Sequence, residues 1–182
     1  MRVLPKIVGL QIAIVLAVSM LASGCGGDRP KAKPECPVSF DFKSPRKPLG
    51  DGSGLLTSAR THALGSEPVA MKAVVTGGGL RGDWDRMVVI FPGTTIADLN
   101  ANAGTTQVCW ENLPRSYIDD VPLRAYYLFL KSGEPLQAVS WFYPNDHELN
   151  FRSSKTMAVY PDTMMTPVNG PGVDPYLILT AE

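Results

Sequence analysis

From Ile7 to Ala22 the chain is apolar apart from Gly9, Gln11 and Ser19, with Arg2 and Lys6 in front and Ser23-Gly24-Cys25 behind. Sixteen residues of helix rise about 24 Å, short of the roughly 30 Å of hydrocarbon that a span must cross. A charged start, a short apolar middle and a small-residue exit describe a secretory signal peptide over residues 1–24. That segment is therefore set apart from the fold, and whatever follows it folds outside the cytoplasm.

Leu21-Ala22-Ser23-Gly24-Cys25 resembles the lipobox of bacterial lipoproteins, with Ala22 where a leucine is usual. The resemblance covers the first 25 residues only. It implies that Cys25 is acylated and becomes the first mature residue, which locates the protein in the bacterial cell envelope, held to a membrane by lipid. Each buried methylene contributes about 0.8 kcal/mol and stable anchoring takes two chains or more, so a diacylglycerol plus an amide-linked acyl chain such as palmitate suffices. With Cys25 lipidated, Cys36 and Cys109 remain of the three cysteines. In an exported, oxidising compartment they are expected to form one disulfide.

Residues 25–50 are rich in Pro, Gly and Lys. Between Gly26 and Gly50 six basic residues stand against three acidic ones, a net of +3, whereas from Asp51 onward 9 basic and 14 acidic residues leave −5. Proline favours extended backbone, so this stretch reads as a semi-stiff tether, although Val38-Ser39-Phe40-Asp41-Phe42 alternates and a first strand is possible near 38. A basic tether and an acidic body suit an anionic membrane surface. The overall balance, 17 basic against 17 acidic, argues against nucleic acid as a partner.

Residues 51–182 read as a single domain of α+β, mostly β, class: a small sheet or sandwich with one or two short helices. The expected strands are short, β-branched or aromatic, and bounded by turn formers: Ala70–Thr76, Met87–Phe91, Gln107–Trp110, Arg124–Lys131, Leu136–Tyr143, Met157–Tyr160 and Tyr176–Thr180. Lys131 to Pro135 forms a hairpin loop in which Gly133 takes positive φ. Apolar groups on both faces of Leu136–Tyr143 make it a central strand. Helices are expected over Leu55–Leu64, capped by Ser53, and over Thr95–Asn102.

The chemistry-bearing motifs mostly fail on context. Gly77-Gly78-Gly79-Leu80-Arg81-Gly82 matches the dinucleotide fingerprint G-x-G-x-x-G, but no helix follows to present its amides to a pyrophosphate, so it reads as a flexible hairpin connection. Gly50-Asp51-Gly52-Ser53-Gly54 has the wrong spacing for a nucleophile elbow. The two histidines, His62 and His147, have no zinc-type spacing, and neither Asp83/Asp85 nor Asp119-Asp120 follows a calcium-loop pattern. No catalytic residue, metal ligand or cofactor is assigned. Trp84, between two aspartates in a Gly-rich loop, is the candidate binding residue if exposed; packing over the sheet is the alternative. The function expected is non-catalytic binding of an envelope or extracellular protein or ligand. Its rival is an envelope hydrolase with a site assembled around His147 or His62.

Overall fold

The computed structural model describes residues 36–115, 123–151 and 157–179. The signal peptide, Cys25, the spacer up to residue 35 and the Asp119-Asp120 pair lie outside the described residues. In chain order the elements are β1 (Val38–Asp41), α1 (Leu55–Ala63), β2 (Val69–Ala70), α2 (Met71–Gly77), β3 (Arg86–Ile90), α3 (Ile96–Ala103) and β4 (Val108–Glu111). They continue with β5 (Leu123–Lys131), β6 (Glu134–Tyr143), β7 (Leu149–Asn150), β8 (Ala158–Val159), β9 (Met164–Gly170) and β10 (Val173–Leu179). The class is α+β and mostly β, with no described helix long and apolar enough to cross a membrane.

β5 organises the rest. Residues 125–130 of this strand are all buried, because it is paired on both edges and covered on both faces, in a sheet ordered β6-β5-β3-β8. Side chains alternate across such a strand. Ala125, Tyr127 and Phe129 enter one core with Met87 and Val89, while Tyr126, Leu128 and Leu130 enter another with Val88 and Ile90. The first core is roofed by α1, α2 and the sheet β2-β9-β10-β7; the second by α3 and the parallel pair β1-β4. The result is three layers, with β5 in the middle.

Several expectations need correction. The strand possible near 38 is β1, and Phe40, Phe42 and Leu49 are core residues, so this part of the expected tether packs with the domain. Ala70–Thr76 is not a strand. Met71, Val74 and Val75 are buried at i, i+3 and i+4, a helical period that packing against α1 enforces over the β-branched propensity of the segment. β6 is an edge strand, not a central one. Pro135, paired opposite Leu130 within it, lacks a donor and is the sequence signal for an edge. The hairpin loop is only Ser132-Gly133, at φ 52° and 79°, as a type I′ turn requires.

The helix ends also separate into those that the sequence marked and those it did not. Thr95 caps α3 by accepting from Asp98 N–H at 3.1 Å, and Gly104 at φ 69° stops it. For α1 the cap is Gly54, with no side-chain bond, rather than Ser53. The reason lies in the glycines. A Cβ on Gly54 would sit 3.0 Å from Gly78 O, and one on Gly78 would sit 2.6 Å from Leu55 Cα. The two Gly-rich motifs therefore pack backbone against backbone, and 77–82 is the end of α2 and a link to β3, not a hairpin.

Candidate functional site

The Cys36–Cys109 disulfide is formed, with the two Cα atoms 5.6 Å apart, inside the range such a bridge needs. It sits where β1 runs parallel to β4, next to the Ser39–Cys109 register pair. Nearby, Asp41 accepts from Asn112 Nδ2 at 2.6 Å and from Lys43 N–H at 2.9 Å. These bonds to its charged form hold its carboxyl below the ordinary range.

Trp84 is 9% exposed and set edge-on against Phe129, ring centroids 5.4 Å apart. The packing alternative is the observed one, and Trp84 offers no ring to a partner. The flanking carboxylates serve the β5–β6 turn: Lys131 Nζ donates to Asp83 at 2.8 Å and Ser132 N–H to Asp85 at 2.5 Å. His62 stands on α1, and the hydroxyl one turn before it, Ser58 Oγ, is committed to Val74 O at 2.7 Å. Among the described residues, no three His, Cys, Asp or Glu side chains gather as metal ligands.

A cavity of about 290 Å³ opens instead at the end of the first core. Phe91 follows β3; Trp141 and Tyr143, two apart on β6, point to its side. The three rings meet nearly at right angles, with Phe91–Trp141 centroids 5.6 Å apart at 82°, Phe91–Tyr143 5.8 Å at 81° and Trp141–Tyr143 6.2 Å at 74°. Tyr176 of β10 and Phe151 add further aromatic wall. Edge-to-face contacts are the favoured geometry of aromatic pairs, so this corner is stable in itself.

The rim is the turn after Tyr143. Phe142 N–H donates to Asp146 Oδ2 and Asp146 N–H to Phe142 O, both at 2.7 Å, which fixes the turn that carries His147. His147 Nδ1 lies 3.0 Å from Asn145 O. A carbonyl only accepts, so Nδ1 is the donor in this contact. Among the described residues, no Ser, Thr or Cys lines the cavity beside His147.

Behind the cavity Tyr127 stacks on Trp141, centroids 5.3 Å apart and planes 11° off parallel. Tyr127 Oη, Trp141 Nε1 and Glu148 Oε2 are buried with no hydrogen-bond partner among the described residues. Burial first, then the charges of Glu148 and Asp146, push the Tyr127 hydroxyl well above its ordinary pKa. Sequence reading singled out His147 and placed Trp141 and Tyr143 in a core strand, but it missed Phe91, Tyr127 and Tyr176. The period-2 pattern at 87, 89 and 91 was the available signal that Phe91 shares a face with Val89. Compared with protein-family models, curated proteins and solved structures, the chain matches none.

Proposed function

We propose that the protein is a lipid-anchored, non-catalytic component of the bacterial cell envelope whose exported domain binds a ligand or protein partner through the aromatic cavity at Trp141. The observation that carries this reading is the cavity itself: three perpendicular rings at the end of an otherwise filled core, beside a turn braced by reciprocal hydrogen bonds. A concave, mostly apolar site with a few convergent polar groups is the usual form of a ligand site. The disulfide supports an oxidising compartment, and the signal peptide and Cys25 supply the anchor. The hydrolase reading has His147 at the same rim in its favour; among the described residues no Ser, Thr or Cys stands beside it in the cavity.

Two arms test the proposal on the full chain. Cys25→Ala leaves the domain folded by circular dichroism and releases it from washed membranes; complete retention by membranes would disprove the anchor. Phe91→Leu combined with Tyr143→Leu is expected to abolish capture of envelope components by crosslinking, with the melting temperature as control. Unchanged capture by a folded double variant would remove the cavity from the function.

A further inference from the structure

We infer that the cavity takes an organic cation, the head group of a small soluble quaternary or methylated amine, on the ring faces of Phe91, Trp141 and Tyr143 with Asp146 and Glu148 as its counter-charge. This rests on the binding reading above and names its ligand class. The geometry of the rings is the first argument. A sugar ring is best met by one flat aromatic platform, whereas walls at 82°, 81° and 74° to one another enclose a corner. A cation is attracted to every ring face whose centroid lies within about 6 Å, so a corner of three rings acts on it together.

Charge is the second argument. Asp146 and Glu148 flank His147, and neither forms an ion pair among the described residues. The bond from Phe142 N–H orients Asp146 without neutralising it. Among the described residues, no Lys or Arg lines the cavity. Arg124, near the same end of the sheet, stacks over Phe142 at 5.8 Å on the alternate face of β6. The negative potential of the two carboxylates reaches Tyr127 behind the Trp141 ring, where it helps to hold the phenol neutral. An aromatic corner with the Asp146 carboxylate in its lining, and no cation among the described lining residues, favours a positive guest over a neutral one.

Size is the third. About 290 Å³ is at the foot of the roughly 300–1,000 Å³ range of small-molecule sites, room for a single head group and not for a peptide or an oligosaccharide.

The test titrates the full-length protein, in a detergent free of choline and sugar, with choline chloride and with its uncharged carbon isostere 3,3-dimethylbutan-1-ol. Intrinsic tryptophan fluorescence reads binding. Choline is expected to give a saturable change, with the isostere weaker by about tenfold or more. Tyr143→Leu should weaken choline by about tenfold. Glu148→Gln should weaken it several-fold while leaving the isostere unchanged, which a purely structural role of Glu148 would not do. If Tyr143→Leu fails to fold, the choline-to-isostere ratio in the native protein decides alone. Equal binding of choline and isostere, or binding only of a methyl pyranoside, would overturn the cation and leave the cavity as a binding site. Silence toward all three probes would overturn the cation and remove the cavity's support for a small ligand as well.

Discussion

Trp110 and Trp141 are nearly equally buried, at 8% and 5% exposure, on opposite sides of the central sheet, yet their surroundings differ. Trp110 Nε1 donates to Asn100 Oδ1 at 2.7 Å, locking α3 to β4 beside the disulfide. Trp141 Nε1 has no partner among the described residues, stacks on a tyrosine whose hydroxyl has none there either, and lines a cavity. Burial of equal depth thus produces a closed core on one face and an incomplete one on the other. A buried donor left without a partner costs on the order of 1–3 kcal/mol, so a group that reaches Trp141 Nε1 gains a bond that Trp110 Nε1 already has. Buried polar groups of this kind are commonly found where a protein binds something.

The largest break in this comparison is expected at the closed face. Cys109→Ser opens a loop of 73 residues, for which the chain-entropy estimate is about 4 kcal/mol. Thermal melts should show a large fall in Tm, with ligand binding at the cavity retained below it. A Tm within a degree or two of the native value would mean that β1 and β4 hold together without the bond.

Next in size is the glycine contact that supports the open face. Gly78→Ala drives a methyl to 2.6 Å from Leu55 Cα, an overpacking worth about 3 kcal/mol. Gly79→Ala meets open space and loses only what its φ of 85° demands, about 1 kcal/mol. Chemical denaturation of the two variants should separate them in that order. Equal losses would show that conformational freedom, not contact, is what the motif supplies.

The smallest effects probe the two indoles directly. Trp110→Phe strands Asn100 Oδ1 and is expected to cost about 1–2 kcal/mol more than Trp141→Phe, which deletes an unsatisfied donor. Tyr127→Phe should be neutral or stabilising by up to about 1 kcal/mol. Its pH signature is specific. The folded pKa of Tyr127 lies above the ordinary 10.0, so the neutral phenol's contribution is fully present below that value and is lost as pH climbs from there toward the raised one. Alkaline unfolding should therefore be less steep above pH 10 in the variant; identical profiles would mean that Tyr127 is hydrated in solution.

Much of the fold was legible because it rests on local rules. Aromatic and β-branched runs bounded by turn formers marked β5 and β6, a cap followed by two turns marked the helix expected over Thr95–Asn102, and Gly133 lay in the loop expected from Lys131 to Pro135. What escaped depends on distant contacts. Only the packing of α2 on α1 turns Met71–Gly77 into a helix, and only Gly78 facing Leu55 explains a glycine run that imitates a phosphate loop. Trp84 had no obvious core partner nearby in the sequence; Phe129, against which it packs, is 45 positions away. The cavity was illegible for a related reason. Its walls come from β3, β6, β7 and β10, and no spacing within any one of them announces that three rings meet.

The position of the disulfide has a mechanical consequence. A pull applied to the amino-terminal chain, against resistance anywhere after residue 109, passes from Cys36 directly into Cys109. The intervening segment, which holds α1, α2, β3 and α3, is a covalent bypass loop and bears no tension. Load enters through β4 and travels along the chain into β5 and β6. A pull on the amino-terminal chain therefore stretches the strands that lead to Trp141 while leaving the glycine contact and both helices of the roof outside the covalent load path, which couples tension at that end of the chain to the mouth of the cavity by force alone.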